Sequence, residues 1–250
     1  MPGRVYAFAN QKGGVGKTTT TINVAACLAQ AGERVLVVDL DPQANATSGL
    51  GMRANGTSSY DLLDGAPLAQ LAKPTAFANL FVVPSRPELA GAAVELARRD
   101  DGDRYLVDAL AEAEGFDYVL LDCPPSLGPL TVNALAAADR VVVPVQAEYY
   151  ALEGLAQLVH SINLVRGRLN PGLAIGGVLI TMSDPRTKLS ADVEREVRRH
   201  FGELVFRTVI PRGVRIAEAP SHGLPITHYD RRSRGAEAYW KVAMELVERN

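Results

Sequence analysis

Two lysines flank a run of glycines near the start of the chain. In ANQKGGVGKTTT, residues 9–20, Lys12 precedes the glycines and Lys17 follows the last of them. Glycines at a strand-to-helix turn let successive backbone N–H groups converge on an anion, and the start of the helix adds the positive end of its dipole. The stretch therefore predicts a loop that binds phosphate groups.

The residues after the last glycine refine this prediction. Lys17 is placed to reach the β- and γ-phosphates of a nucleotide, and the Thr18 hydroxyl can ligate Mg²⁺. A glycine-rich turn without a ligand needs neither side chain, so the Lys-Thr pair favours a nucleotide site. One lysine is enough for that role, and the loop alone does not explain Lys12.

Acidic residues end two apolar runs elsewhere in the chain. Asp122 closes YVLLD, and we expect it to hold Mg²⁺ through water, because Mg²⁺ keeps several waters and needs few carboxylates. Asp39 and Asp41 end the run VLVVDLD, and the carboxyl ends of strands are where ligands bind in open α/β sheets. A helix cap or a loop ion pair would explain Asp39 equally well.

Short runs of Val, Leu and Ile alternate with longer segments of helical spacing along the chain. Several runs lack polar alternation, which is typical of strands covered on both faces. The pattern predicts an α/β fold with a doubly wound, mostly parallel sheet, helices on both faces, and residues 1–250 forming one domain. The predicted strands are 5–9, 35–39, 80–83, 118–122, 141–145, 175–181 and 205–210. The predicted helices are 18–31, 103–114, 129–138, 152–169, 189–201 and 235–248, with Gly32 and Gly202 at helix ends and no clear period over 49–74.

Composition narrows the class of protein. With 47% hydrophobic and 22% charged residues and no long apolar run or basic leader, we expect a cytosolic protein. The two cysteines match neither a disulfide framework nor a metal-ligand spacing. Residues 1–183 carry 13 basic and 18 acidic residues, whereas residues 184–250 carry 13 and 10, a modest hint that the C-terminal part faces an anion.

Several separate motifs resemble one family. KGGVGKTTT, VLVVDLDPQANATSGLG, LLDCPPSLGPLTVNAL, PVQAEYYALEGL, IPRGVRIAEAPSHGLPI and YDRRSRGAEAY together resemble the ParA/Soj family of chromosome-partitioning ATPases, a deviant-Walker P-loop group. The resemblance runs from about residue 5 to 240. It implies ATP and Mg²⁺, and ATP is also favoured over GTP because the chain has no Asn-Lys-x-Asp guanine signature.

The resemblance implies a role for Lys12. The matching family residue reaches the phosphates bound by the partner subunit, so ATP would lie within a sandwich homodimer. By the same resemblance Asp41 positions or activates the attacking water, and residues 211–213 lie along the adenine. Two positions depart from the family pattern: Gly213, where many relatives have Asn, and Ala44, where DPQGN is usual. The implied nucleotide-binding residues are Lys12, Gly13, Gly14, Val15, Gly16, Lys17, Thr18, Thr19, Pro211 and Gly213, with Lys12, Lys17 and Asp41 catalytic and Thr18 and Asp122 on the metal.

The basic C-terminal part gives the resemblance a second consequence. Arginines matching Arg186 and Arg215 contribute to nonspecific binding of double-stranded DNA by the family's dimers, and a ParB-type centromere-binding protein stimulates hydrolysis. A rim of solvated arginines would explain the charge alone. The first strand starts so near residue 1 that we expect no N-terminal helix-turn-helix, and hence backbone contacts without base readout at the nucleoid.

Rival functions remain open at this point. A membrane-positioning ATPase like MinD would need a basic amphipathic anchor, whereas charges from Glu237 onward are net acidic. An iron-protein reductase would need cluster cysteines, and only Cys123 is suitably placed. A ligase of the dethiobiotin synthetase type would need a second substrate, and a non-catalytic DNA scaffold would release no phosphate.

Overall fold

The computed structural model describes residues 3–99, 101–148 and 151–249. Tyr149 and Tyr150, part of the motif PVQAEYYALEGL, lie outside these ranges. The strands of the described ranges are β1 (Arg4–Phe8), β2 (Val35–Asp39), β3 (Lys73–Pro74), β4 (Leu80–Val83), β5 (Tyr118–Asp122), β6 (Arg140–Gln146) and β7 (Ala174–Thr181).

All seven strands form one sheet in the order β3-β4-β2-β5-β1-β6-β7. Every neighbouring pair is parallel except β3 and β4, which are antiparallel. The predicted mostly parallel α/β sheet is therefore confirmed. Six of the seven predicted strands are present, and both ends of each lie within one residue of the prediction.

Helices connect the strands and cover the sheet. The helices of the described ranges are α1 (Lys17–Gln30), α2 (Asn45–Gly49), α3 (Ser59–Leu63), α4 (Leu68–Leu71), α5 (Leu89–Leu96), α6 (Tyr105–Leu110), α7 (Pro129–Ala137), α8 (Ala151–Arg168), α9 (Lys188–Phe201), α10 (Val214–Glu218), α11 (Ile226–Tyr229) and α12 (Arg234–Glu248). Five of the six predicted helices start within one residue of the prediction, and the sixth shortens to α6. None of the described helices is both long and apolar enough to cross a bilayer.

Both faces of the sheet are buried. In β2, Leu36 and Val38 pack into one apolar cluster with α3 to α9, while Val35 and Val37 pack into the other with α1 and α12. Side chains of a strand alternate between faces, so a strand with helices on both sides needs an apolar residue at every position. This is why VLVVD shows no polar alternation.

The three central strands end at one edge of the sheet. β5 lies between β2 and β1, and Asp122 pairs in register with Asp39 on one side and Phe8 on the other. The glycine-rich loop after β1 and the acidic segments after β2 and β5 therefore start side by side. The parallel register alone brings these three stretches of distant sequence together.

The predicted strand 205–210 is wrong. Val205 bridges to β7 and the Ile210 N–H donates to the Ile180 carbonyl of β7, but between them the N–H groups of Arg207 and Thr208 donate to the Glu245 carboxylate of α12, at 2.7 and 2.9 Å. Because these N–H groups bind a side chain, they cannot extend a ladder along β7. The segment therefore bulges away from β7 in its middle and pairs with the chain again where Pro211 bridges to Ser183.

Residues 49–74, which lack a period, contain α3, α4 and β3. The start of this region is fixed by two glycines whose backbones touch. Gly51 and Gly223 both have positive φ, and a Cβ built on Gly223 would lie 2.7 Å from the Gly51 Cα. The segment after α2 is thereby packed against the 3-10 helix Ala219–His222 that follows α10.

We expect Gly223→Ala to lower the free energy of unfolding by about 2–4 kcal/mol, because alanine would meet both a left-handed backbone and the Gly51 Cα. Gly56→Ala is the matched control, since Gly56 has φ +90 with no atom within 4 Å of its built Cβ. That variant should lose only about 1–2 kcal/mol. Urea unfolding followed by circular dichroism measures both, and equal losses would show that the contact adds nothing.

Candidate functional site

The glycine loop joins β1 to α1 at the shared edge of the sheet. Gly14 and Gly16 adopt φ of 73° and 86°, a left-handed region that glycine enters without a steric penalty. Gly16 is the N-cap of α1, and no side chain of the described residues caps this helix. Its first N–H groups are thus left for a ligand, as an anion-binding helix start requires.

The loop is anchored and one of its lysines is buried. The Thr181 hydroxyl of β7 donates to the Val15 carbonyl at 2.8 Å, and Val15 itself is buried. The Lys17 side chain is turned back over the loop, where Nζ donates to the Lys12 carbonyl at 3.1 Å. Burial lowers the pKa of the Lys17 ammonium, and the nearby charges of Asp122 and other acidic groups oppose this shift.

Lys12 differs from Lys17 in its surroundings. Its side chain is 41% exposed, and Nζ forms an ion pair with Glu148 of the same chain at 3.1 Å. The Lys12 N–H donates to the Asn10 side chain, and Gln146 donates to the second oxygen of Glu148. Lys12 is therefore a partly exposed cation at the mouth of the loop, held by a partly exposed carboxylate.

Two hydroxyls of α1 face the carboxylate at the end of β5. Thr18 Oγ1 donates to Asp122 Oδ2 at 2.8 Å, and Thr21 Oγ1 donates to Oδ1 at 3.1 Å. Asp122 is fully buried, and this burial together with the charge of Asp39 raises the pKa of its carboxyl. A divalent cation at this position would reverse that preference and favour the ionised carboxylate.

The segment after β2 is held by a second buried carboxylate. Asp39 accepts hydrogen bonds from the N–H of Asp41 and from both the N–H and hydroxyl of Thr47, at 3.1, 2.8 and 2.7 Å. The Thr47 oxygen also accepts from the Ser85 N–H. Burial raises the pKa of the Asp39 carboxyl. Asp39 thus holds together the two ends of the loop from Asp41 to Thr47. Within this loop, Asp41 Oδ1 accepts a hydrogen bond from the Gln43 N–H at 2.9 Å.

A largely apolar cavity of 370 Å³ adjoins the loop. Its walls include Gly16 and Thr19 at one end and residues 210–214 at the other, with Met182 and Tyr239 between them. Apolar walls beside a phosphate loop suit the base of a nucleotide. Pro211 and Gly213, predicted to lie along adenine, both line this cavity.

The donor set fits Mg²⁺. Thr18 and Asp122 supply only oxygen atoms, which this cation prefers. Throughout the described ranges no group of three or more His, Cys, Asp or Glu side chains could hold a metal ion. A site with few protein ligands is the kind that Mg²⁺ occupies when phosphate oxygens and waters complete its coordination.

Comparisons with known proteins identify the family. A family profile described as an AAA domain matches residues 3–175. The chromosome-partitioning ATPase Soj of Thermus thermophilus is 57% identical over 246 residues, which cover 98% of this chain and 96% of the relative. The sporulation initiation inhibitor protein Soj of Bacillus subtilis is 53% identical over 249 residues, 98% of either chain. The chain belongs to the ParA/Soj family of chromosome-partitioning ATPases.

A solved structure shares the fold of this ParA/Soj ATPase. Cobyrinic acid a,c-diamide synthase of Mycobacterium smegmatis, with bound ADP and magnesium, superimposes with a TM-score of 0.86 at 39% identity. The alignment covers 98% of this chain and 94% of the synthase. The predicted P-loop architecture and the resemblance to ParA/Soj are confirmed.

The roles of individual residues in this ParA/Soj ATPase stay predictions, but the structure brings most of them together. Lys12, Lys17, Thr18, Asp41 and Asp122 meet at the carboxyl ends of the central strands. The predicted DNA-contacting arginines lie elsewhere. They line a neighbouring 520 Å³ cleft between the segment after β7 and the starts of α10 and α12, which shares Pro211, Arg212 and Gly213 with the base cavity. Its basic residues, which together define the arginine cleft, are Arg186, Arg212, Arg215 and Arg234.

Sequence reasoning missed three contributions. Thr21 could have been found, because residues three apart lie on one face of a helix and Thr18 was already identified. The hydrogen bonds from Thr47 in α2 to Asp39 at the end of β2 join residues eight apart, and no local sequence pattern indicates them. Met182, directly after β7, and Tyr239 of α12 both reach the base cavity, and only the fold brings them together.

Proposed function

We propose that this ATPase partitions DNA by a nucleotide-dependent pairing of two copies. ATP and Mg²⁺ bind the glycine loop, two subunits close face to face around the nucleotides, and the pair binds double-stranded DNA without sequence preference. Hydrolysis separates the subunits and releases the DNA. The observation that carries the proposal is Lys12, a 41% exposed cation at the mouth of a loop whose own phosphate lysine is buried.

The residues divide the work at the phosphates. The loop N–H groups and Lys17 hold the β- and γ-phosphates, and Thr18 with Asp122 holds the metal, which supplies charge neutralisation when bound. Thr19, Pro211 and Gly213 contact the rest of the nucleotide. Lys12 exchanges Glu148 for the phosphates in the partner subunit, adding the cation that phosphoryl transfer needs as negative charge shifts.

Asp41 supports the attack of water. Asp41 is 7% exposed and belongs to a loop tied at both ends by hydrogen bonds to Asp39. A carboxylate in this position can orient a water and accept its proton. Between the buried residues Leu40 and Ala46 the loop exposes Gln43 and Asn45, and this outer part can adjust when the partner subunit closes the site.

DNA binding follows from pairing. One arginine cleft makes few phosphate contacts, whereas two joined clefts act on the same polymer at high effective concentration. A ParB-type centromere-binding protein would stimulate hydrolysis, and residues 1–250 would work as one domain in the cytoplasm at the nucleoid. DNA binding by the pair and its release on hydrolysis together support segregation of a chromosome or plasmid.

The similarity to a diamide synthase raises a ligase as the alternative function. Such an enzyme would need a second, small-molecule substrate for turnover, whereas a partitioning ATPase would respond to DNA and a centromere-binding protein. DNA pelleting in ADP, ATP and a slowly hydrolysed analogue tests the main proposal. The protein should pellet with DNA only in ATP and in the analogue. Equal pelleting in ADP would contradict nucleotide-dependent DNA binding. Liposome sedimentation in ATP, expected to be negative, tests a MinD-like role.

The double variant Arg186→Ala with Arg215→Ala should lower DNA affinity at least tenfold at low salt. Each phosphate contact that is lost reduces the number of counterions released from the DNA, and this release favours binding. The slope of log affinity against log salt should become shallower by about two for each subunit. Arg99→Ala removes an arginine near α5 and is the control. Unchanged retention in the double variant would rule out this cleft as the DNA surface.

A further inference from the structure

Both predicted DNA-contacting arginines are already occupied by carboxylates of their own chain. Arg186 donates through Nε and Nη2 to the two oxygens of Asp184, at 2.9 and 2.7 Å. Such a two-point contact is the geometry in which an arginine binds a phosphate group. Asp184 therefore takes the place that a DNA phosphate would need.

Arg215 is held in a similar way. Its Nη1 lies 3.4 Å from Glu218 Oε2 and 3.3 Å from the Tyr229 hydroxyl, which itself donates to the same Glu218 oxygen. The guanidinium carbon lies 5.8 Å from the centre of the Tyr229 ring. Glu218 and Tyr229 thus satisfy this arginine from two sides.

The other two arginines of the cleft have no such partner. Within residues 3–99, 101–148 and 151–249, neither Arg212 nor Arg234 forms an ion pair. The arginine cleft consequently contains two arginines without an ion pair to a described residue beside two that have one, although the charge of Arg212 also acts on Asp184. This division does not follow from the charge of the sequence, which counts all four alike.

We propose that Asp184 and Glu218 compete with DNA phosphates for Arg186 and Arg215 and thereby keep the DNA affinity of a single subunit low. The inference rests on the proposed DNA-binding function of this cleft. A phosphate must displace a carboxylate before it gains either arginine, so one subunit gains little from the exchange. Two subunits on one DNA add the contacts of both clefts, including those of Arg212 and Arg234, and binding then depends steeply on pairing.

The arrangement is stable over the range in which DNA binding would be measured. Hydrogen bonds from Arg186 lower the pKa of the Asp184 carboxyl to about 2, so Asp184 is ionised at neutral pH. Asp184 is also more sheltered than its partner, with side-chain exposures of 20% and 85%. The carboxylate is fixed while the arginine extends into solvent, where it can exchange one anion for another.

Asp184→Asn tests the proposal, because asparagine keeps an oxygen for the Arg186 N–H but loses the charge. DNA affinity in ATP should rise about two- to fivefold for each cleft, the range expected when an exposed ion pair is removed. Paired subunits should gain about the square of that factor. Glu218→Gln should raise affinity in the same direction through Arg215.

Two controls separate competition from a simple change in net charge. Asp64→Asn removes one negative charge from an exposed pair with Arg99, neither of which lines the arginine cleft, and should raise DNA affinity much less. Asp184→Asn should also give no gain in an Arg186→Ala background, because its effect passes through that arginine. Fluorescence anisotropy with a labelled duplex in a slowly hydrolysed ATP analogue measures all of these variants.

The outcomes are distinct. A gain that disappears in the Arg186→Ala background supports the competition. No gain, a gain equal to that of Asp64→Asn, or one that persists without Arg186 overturns it while leaving the DNA surface intact. DNA affinity that is unaffected by Arg186→Ala with Arg215→Ala contradicts the proposed function itself, whatever Asp184→Asn does.

Discussion

Asp41→Ala is expected to leave an ATP-bound pair of subunits that turns over about 10²–10⁴ times more slowly, the usual contribution of a positioned acid-base group. Asp41 lies on a loop beside the phosphate site, and the Coulombic effect of its carboxylate reaches Lys17. Its removal costs the loop the hydrogen bond from the Gln43 N–H but leaves Lys12, Lys17 and the glycine loop in place, so binding and pairing should persist. Phosphate release and sedimentation velocity in MgATP measure the two effects separately.

Asp41→Asn distinguishes chemistry from loop geometry. Asparagine can still accept the Gln43 N–H that Asp41 Oδ1 accepts, but it cannot take a proton from water. We expect it to be as slow as the alanine variant. Normal turnover in Asp41→Asn together with slow turnover in Asp41→Ala would assign this residue to loop positioning alone, and normal turnover in both would remove it from the mechanism.

The second large effect is expected at Lys12. Lys12→Ala should bind ATP within a few-fold of the wild-type affinity, because Lys17 and the loop N–H groups remain. Pairing in ATP should weaken by at least about 10³-fold, since a charge-assisted contact buried at an interface contributes about 2–5 kcal/mol and a two-fold axis repeats it. Sedimentation velocity and titration with a fluorescent nucleotide give the two quantities.

The Asp41→Ala background makes this test sharper. There, hydrolysis cannot dissolve the pair during the measurement, so a missing dimer in Lys12→Ala with Asp41→Ala reflects assembly alone. Glu148→Gln is the matched control, because it removes the partner of Lys12 but keeps the cation and should not prevent pairing. Dimers that persist in ATP without Lys12 would refute the role given to this residue.

The parts of the fold that sequence predicts well are those with a strong local pattern. VLVVD and YVLLD are apolar at every position up to the last, and both form central strands at the expected residues. The glycine loop carries its own backbone requirement, so its place before α1 was also predictable. The acidic residues were found because they stand at strand ends.

Other parts depend on contacts that no local pattern records. Residues 205–210 are rich in β-branched and aromatic residues, yet the Glu245 carboxylate from α12 takes the N–H groups that a strand would have used. Arg186 was identified by resemblance, but its neutralisation by Asp184 is visible only in side-chain geometry. Charge counts and periodicity do not show which side chains lie within hydrogen-bond distance of a backbone N–H group or an arginine.

Ala44 gives the Asp41 loop a property that the family's usual glycine would not. Its φ of 55° and ψ of 34° place an alanine in the left-handed region at the N-cap of α2. This conformation is about 1–2 kcal/mol less favourable for alanine than for glycine. A difference of 1 kcal/mol corresponds to about a fivefold change in population. The observed arrangement of the loop is thus less strongly favoured than it would be with glycine, and the energy needed to reshape it when a second subunit arrives is correspondingly smaller.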